Sequence, residues 1–171
     1  MKKLLIASTV ALMLATTAGV RAEVGITVQG GGVLQSHSER NGDHCLDGLW
    51  IAGLGVDYEV LDSRNLTFRP GVYYYHIEHN ESYREKSSDK KENTKTRTAN
   101  VAAAMIRAGV KIKDVWQVYF LTGYSVDSFL IGGGGVNLRL DDNWTLETEA
   151  LFFDDGDDSH EAIVGGLRFN F

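Results

Sequence analysis

The sequence has very little cysteine or proline, and basic residues are outnumbered by acidic ones. Its one cysteine, Cys45, has no partner for an internal disulfide, so something other than a disulfide must hold the fold. Lysine and arginine number 17 against 23 acidic residues, which argues against nucleic acid as a partner. Beyond the first residues, no apolar run is long enough for a transmembrane helix. A membrane-spanning form of this chain would therefore have to be a closed β-barrel.

The amino terminus has the pattern of a secretory signal. Lys2 and Lys3 precede an apolar stretch from Leu4 to Ala18, and Val20-Arg21-Ala22 offers small residues where a signal peptidase cleaves. We predict a signal peptide over 1–22 and a single β-barrel domain over 23–171. A retained membrane anchor is the alternative, although the apolar stretch is short for one.

The remainder is predicted to be all-β, because residues with a strong strand preference recur in alternation, with 19 glycines and one proline. Each segment is near or above the roughly 9–11 residues that a tilted membrane strand requires. The eight segments are Glu23–Gln35, Gly48–Val60, Leu66–His79, Thr98–Ile112, Trp116–Tyr124, Phe129–Leu140, Trp144–Phe153 and His160–Phe171.

The connections between these segments alternate in length. Ser36–Asp47 and the charged Asn80–Arg97 are long, whereas Leu61–Asn65, Lys113–Val115 and Asp141–Asn143 are short. Short turns on one side and longer loops on the other are typical of outer-membrane barrels, and they place both chain ends in the periplasm.

Successive strand side chains point to opposite faces, and each segment has one apolar and one polar face. Turned inward, the polar faces give a charge-balanced lumen filled by side chains, in which buried charges survive by pairing. The charges expected in this network are Asp57, Glu59, Arg69, Arg107, Arg139, Glu147, Glu149 and Arg168. Rings near the ends of the apolar faces predict two aromatic belts at the lipid interfaces. Those rings include Trp50, Phe68, Trp116, Trp144 and Phe152.

With its signal, eight alternating segments and aromatic carboxyl terminus, the sequence resembles the small eight-stranded outer-membrane barrels of the OmpA-like and OmpX-like group. The resemblance lies in pattern and covers residues 23–171. It implies an antiparallel up-and-down transmembrane β-barrel in the outer membrane of a Gram-negative cell. It also implies that Leu167, Phe169 and Phe171 form the signal read by the outer-membrane assembly machinery.

No segment gives a strong catalytic or metal-binding signal. Ser36, His37, Ser38 and Glu39 could supply a nucleophile and base, but consecutive residues do not easily adopt that geometry. His76, Glu78 and His79 could ligate a metal, yet a strand would split them between two faces. The four aspartates within Asp154–Asp158 do not have the spacing of a calcium loop, although weak bridging of divalent cations to lipopolysaccharide stays open.

We therefore expect a monomeric, non-enzymatic barrel with an envelope-structural or adhesin-like role, without cofactor, metal or nucleic acid. Its expected partners are outer-membrane lipid, lipopolysaccharide and the assembly machinery. The alternatives are a lipid A-modifying enzyme and a soluble periplasmic lipocalin-like carrier.

Overall fold

The chain forms eight antiparallel strands that close into a barrel in a computed structural model, which describes residues 21–38, 44–61, 65–84, 92–113, 115–154, 156 and 158–171. The strands are β1 (Arg21–Ser38), β2 (His44–Leu61), β3 (Leu66–Arg84), β4 (Glu92–Ile112), β5 (Trp116–Ser125), β6 (Leu130–Arg139), β7 (Trp144–Asp154) and β8 (Asp158–Asn170). Each strand pairs with its neighbours in sequence, and β1 pairs with β8 to complete the ring. This confirms the predicted up-and-down barrel. No helix in the described ranges is long and apolar enough to cross a membrane.

The wall has the facing that the alternation predicts. Leu54, Val72, Phe120 and Leu146 point outward and are exposed, whereas Arg69 and its register neighbour Arg107 point inward and are buried. An apolar exterior around a polar interior is the arrangement of a transmembrane β-barrel, because lipid solvates the outside and side chains must satisfy one another within. We call the end that holds the start of β1 and the carboxyl terminus the terminal end, and the opposite end the loop end.

The first four strands are much longer than predicted. They contain 18, 18, 19 and 21 residues, against 10, 10 and 11 for β5, β6 and β7. The expectation that Ser36–Asp47 and Asn80–Arg97 are long loops is wrong, since only 39–43 and 85–91 lie outside the strands and outside the described residues. Strand pairing continues because polar residues also bond across the hairpin, as the Thr96 hydroxyl does to Asn80 Oδ1 at 2.9 Å.

This added length forms what we call the outer sheet: the parts of β1–β4 that continue past the end of β5. Pairing of β4 with β5 ends where Ala103 meets Ser125, but β4 continues to pair with β3 as far as Glu92 opposite Arg84. The barrel therefore has one tall side and one short side.

The predicted signal peptide lies almost wholly in residues 1–20, which are outside the described residues. Arg21 and Ala22 pair with Leu61 and Val60, so β1 begins two residues before the predicted domain boundary.

Candidate functional site

The interior of the barrel has two zones along its axis. Toward the terminal end the inward side chains are mostly polar, and toward the loop end most strands place apolar side chains in the lumen. In β7, for example, Glu147 and Glu149 are followed on the same face by Leu151 and Phe153. The sequence predicted the first zone, whereas the second was not expected.

We call the first zone the ionic zone. Its charged members are Asp57, Glu59, Arg69, Arg107, Lys111, Glu147, Glu149 and Arg168. Four carboxylates meet four cations there, so the pairing leaves no net charge. Because unpaired charge is very costly away from water, this balance is a condition for the fold.

Glu149 is the most heavily bonded carboxylate in the ionic zone. Arg107 donates to it through Nε and Nη2, at 2.6 Å and 3.1 Å, and both side chains are fully buried. The Tyr119 hydroxyl and the Gln29 amide add bonds of 2.7 Å and 2.9 Å. The Arg107 guanidinium also lies 4.0 Å from the centre of the Tyr73 ring, which is a cation–π distance.

The other buried carboxylates have their own cations. Arg69 Nη1 bonds Glu147 at 2.6 Å, and Arg168 Nη2 bonds Asp57 at the same distance. Asp57 also accepts a bond from the Tyr73 hydroxyl at 2.5 Å. These contacts join β3 to β7 across the lumen and β2 to β8 past the intervening β1, so the pairs brace strands that are not neighbours in the sheet.

Glu59 is paired with a cation that was not in the predicted network. Lys111 Nζ lies 2.6 Å from Glu59 Oε1, and Arg168 Nη1 lies 3.5 Å from Oε2. The signal was available, because Lys111 has the same strand parity as Arg107.

Contrary to the prediction, Arg139 does not belong to the ionic zone. Its side chain is 34% exposed at the terminal end, and its one described ion pair is with Asp142, at 3.6 Å. It also donates to the backbone carbonyls of Asp141 and Asp142. The reason is its place at the last residue of β6, where the adjoining turn supplies nearer acceptors than the lumen does.

The second zone is an apolar plug, formed by buried side chains in the loop-end half of the lumen. Its members include Ile51, Ile77, Val101, Ile131, Leu151, Phe153 and Val164. The Phe153 ring packs edge-on against Tyr75, with centroids 5.4 Å apart. Above the plug, the rings of His79 and His160 lie 5.0 Å apart.

A dense plug of this kind opposes permeation, because an ion would have to cross packed hydrocarbon after leaving the ionic zone. A cavity of about 30 Å³ lies at the terminal mouth of the lumen, beside Glu59, Lys111 and Arg139. That volume is far below the about 300–1,000 Å³ of ligand pockets for small molecules.

The predicted aromatic belts lie on the outer wall. Trp50, Phe68, Trp116, Trp144 and Phe152 are all exposed there. At the terminal end, the ring of Trp144 packs against Phe169 at 4.8 Å, and Phe169 packs against Phe171 at 4.9 Å.

The proposed assembly residues take part in that terminal belt. Leu167 and Phe171 are exposed on the outer wall, and Phe169 lies half-buried between them on the same face.

Among the weaker candidate sites, those in the described part of the chain form no metal centre. The side chains of Ser36, His37, Ser38, Glu39 and Cys45 lie outside the described residues.

His76 and Glu78 face outward while His79 is buried in the lumen, and no group of three or more potential metal ligands converges within the described ranges. In the acidic turn, Asp155 and Asp157 are outside the described residues, and Asp154 caps the turn by accepting from the Gly156 backbone N–H at 2.8 Å.

No family model and no curated protein sequence matches the chain. Several solved structures are similar to it in shape. The attachment invasion locus protein Ail of Yersinia pestis is 10% identical, with 88% of this chain and 99% of that chain covered and a TM-score of 0.49. A de novo designed transmembrane β-barrel is 11% identical, with 87% and 95% covered and a TM-score of 0.47. Neisserial surface protein A is 12% identical, with 90% and 100% covered and a TM-score of 0.41.

Proposed function

Proceeding from a closed eight-stranded barrel that is apolar outside and ionic within, we propose that the chain is a small integral outer-membrane protein. Its role is surface adhesion or envelope structure, and it requires no catalysis. The observation that carries this proposal is the outer sheet, which extends beyond the apolar wall and in which β3 and β4 have polar outward faces.

At one level of β3, the outward face changes from apolar to polar and the inward face from polar to apolar. Below that level Val72 and Tyr74 point outward and Arg69 points inward; above it, His76 and Glu78 point outward and Ile77 points inward. Polar outside and apolar inside is the pattern of a β-structure in water. The outer sheet is therefore suited to the aqueous side of the membrane.

The orientation follows from the proposed export signal and the chain ends. With both termini in the periplasm, the outer sheet stands on the cell surface. The turn between β4 and β5 then lies on the periplasmic side, where Lys113 adopts a φ of 54° in a very short connection.

The partners of the barrel body follow from its wall. Outer-membrane lipid and lipopolysaccharide would surround the exposed apolar side chains, and the assembly machinery would read Leu167, Phe169 and Phe171 at the end of β8. A single chain satisfies the strand edges of the barrel wall by closing on itself, which supports a monomer.

An open strand edge gives the outer sheet a means of recognition. The carbonyl of Ala102 accepts from Val126 N at 2.9 Å, so Ala102 directs its backbone groups toward the β5 side. Strand alternation directs the backbone N–H and C=O groups of Asn100, Thr98 and Thr96 to the same side. On that side β4 has no strand partner in the described ranges. An exposed edge can accept an extended segment of another protein by strand addition.

The test compares Thr98→Pro with Thr98→Ala in bacteria that display the chain and otherwise lack adhesins. Proline removes one edge N–H but no bond to β3, and such positions tolerate proline. We expect Thr98→Pro to reduce binding to epithelial cell monolayers severalfold, and Thr98→Ala to leave it unchanged. Equal surface amounts are checked by protease accessibility, and barrel folding by the migration of unboiled protein on SDS gels. Cells with the folded wild-type chain that bind no better than cells without it would contradict the adhesive role.

A further inference from the structure

The outer wall carries a polar and aromatic cluster at the level where its polarity reverses. We call it the boundary cluster, and it consists of Trp50, Tyr74, His76, Glu78 and Asn100. All five side chains face outward from β2, β3 and β4. None of these side chains contributes to the ionic zone or the plug, and only the backbone of Asn100 belongs to the open strand edge.

The cluster is held together by Asn100. Its Oδ1 accepts a bond from the Tyr74 hydroxyl at 2.8 Å and lies 2.9 Å from His76 Nδ1. Because Oδ1 is an acceptor, the hydrogen of the neutral imidazole sits on Nδ1, and Nε2 is left as an acceptor. The Trp50 ring lies against His76, with centroids 5.0 Å apart.

This arrangement presents several polar groups without protein partners in the described ranges. They are the Trp50 indole N–H, His76 Nε2, the Glu78 carboxylate and the Asn100 amide N–H groups. Donors and acceptors are therefore mixed beside the face of an indole that is 42% exposed. Side chains of these kinds, on neighbouring strands, suit a ligand with hydroxyl groups and a flat apolar face.

The position of the cluster identifies where such a ligand comes from. Leu54, Tyr74 and Ala102 form the last outward row that is mostly apolar, and the row directly above it is Ala52, His76 and Asn100. In the proposed outer-membrane location, this second row faces the first polar layer outside the hydrocarbon. In the outer leaflet that layer consists of glycolipid headgroups.

The charge of the cluster distinguishes sugar from phosphate. It holds one carboxylate, Glu78, and no cation, whereas sites for phosphate groups use arginine or lysine. We infer that the boundary cluster binds the saccharide headgroup of an outer-leaflet glycolipid, with Trp50 under the sugar ring and His76, Glu78 and Asn100 bonding its hydroxyls. This inference rests on the proposed outer-membrane function.

The three tryptophans provide a direct readout. Trp50 belongs to the cluster, whereas Trp116 and Trp144 have similar exposure at the opposite end of the wall. In detergent micelles containing the ¹⁵N-labelled barrel, each gives an indole N–H signal, which is assigned with Trp50→Phe and Trp116→Phe. We expect titration with rough-type lipopolysaccharide to shift the Trp50 signal saturably and to leave the other two in place.

Ligand variants separate the possible headgroups. Dephosphorylated lipopolysaccharide should shift Trp50 equally well, and phosphatidylglycerol should not shift it. The free core oligosaccharide should require a much higher concentration, because the acyl chains hold the sugar beside the wall. Loss of the effect on dephosphorylation would overturn the saccharide assignment, and equal affinity for the free oligosaccharide would overturn the assignment to a membrane lipid.

A substitution tests the geometry. Asn100→Ala should weaken the lipopolysaccharide response by about tenfold, since one amide bonds the ligand and also positions Tyr74 and His76. Thr122→Ala, another exposed outward polar residue on β5, should not change it. Equal shifts of all three tryptophans, or an unmoved Trp50 signal in a folded barrel, would overturn this inference alone. A chain that stays soluble without detergent would instead contradict the proposed function.

Discussion

Removing Arg107 from its pair with Glu149 should strongly destabilise the barrel. Both side chains are fully buried. Arg107 donates two bonds to Glu149, of 2.6 Å and 3.1 Å, and in the described ranges it is the only cation bonded to this carboxylate. In Arg107→Met, Glu149 would keep only the neutral donors Tyr119 and Gln29. Leaving one charge of a buried pair uncompensated costs about 3–5 kcal/mol. Loss of the contact with the Tyr73 ring adds about 0.5–2 kcal/mol.

The double variant Arg107→Met with Glu149→Gln separates charge from packing. Glutamine keeps one acceptor oxygen, for either Tyr119 or Gln29, and carries no charge, so the double variant should recover about 2 kcal/mol or more of the loss in Arg107→Met. Arg139→Met is the matched control. Because Arg139 pairs with Asp142 at the exposed rim, its loss should cost less than about 1 kcal/mol.

The free energy of unfolding can be measured by urea titration of the barrel in phosphatidylcholine vesicles, with tryptophan fluorescence and gel migration as two probes. Titrations run in both directions establish reversibility. An Arg107→Met cost below that of Arg139→Met would refute the reasoning. So would a double variant as unstable as the sum of its two single substitutions.

Two further pairs of substitutions test the lumen and the wall. A Cβ on Gly55 would come within 2.0 Å of the Tyr73 ring, so Gly55→Ala should cost about 1–3 kcal/mol in the same titration; Gly32→Ala, with no atom within 4 Å of its Cβ, should be nearly neutral. Phe120 is 79% exposed at the middle of β5, and Phe120→Arg should impair folding into vesicles by about 2–4 kcal/mol. Val126 is 75% exposed beyond the end of β5, and Val126→Arg should cost about 0–1 kcal/mol. Equal behaviour within either pair would contradict the packing or the facing described above.

Strand number and facing could be predicted because lipid imposes a strict alternation. In β7, the alternation of Leu146 and Glu147 is enough to assign the inside and the outside. The outer sheet was missed because its residues are polar on the outward face and charged near the hairpin, which are also features of loops. Sequence patterns do not distinguish a polar loop from a polar hairpin whose pairing is sustained by neighbouring strands.

The pairing of individual charges could not be read from the sequence. Arg69 bonds Glu147 78 residues away, and Arg168 bonds Asp57 111 residues away. These pairs depend on the stagger of the closed ring, which alternation does not reveal. The plug had a visible signal, since Ile77 and Val101 share strand parity with Arg69 and Arg107. Alternation assigns a residue to a face, but it does not show where along that face polar side chains give way to apolar ones.

The reversal of polarity along β3 and β4 also fixes the height of the protein in its bilayer. If the barrel sank by two residues, His76 and Asn100 would enter hydrocarbon, and if it rose by two, Leu54 and Ala102 would leave hydrocarbon for the polar headgroups. Both displacements cost free energy, so the sequence sets the depth at which the barrel sits in the bilayer. The height of the surface exposed to the outside is then a property of this sequence, and membranes of different thickness would have to adjust to the barrel.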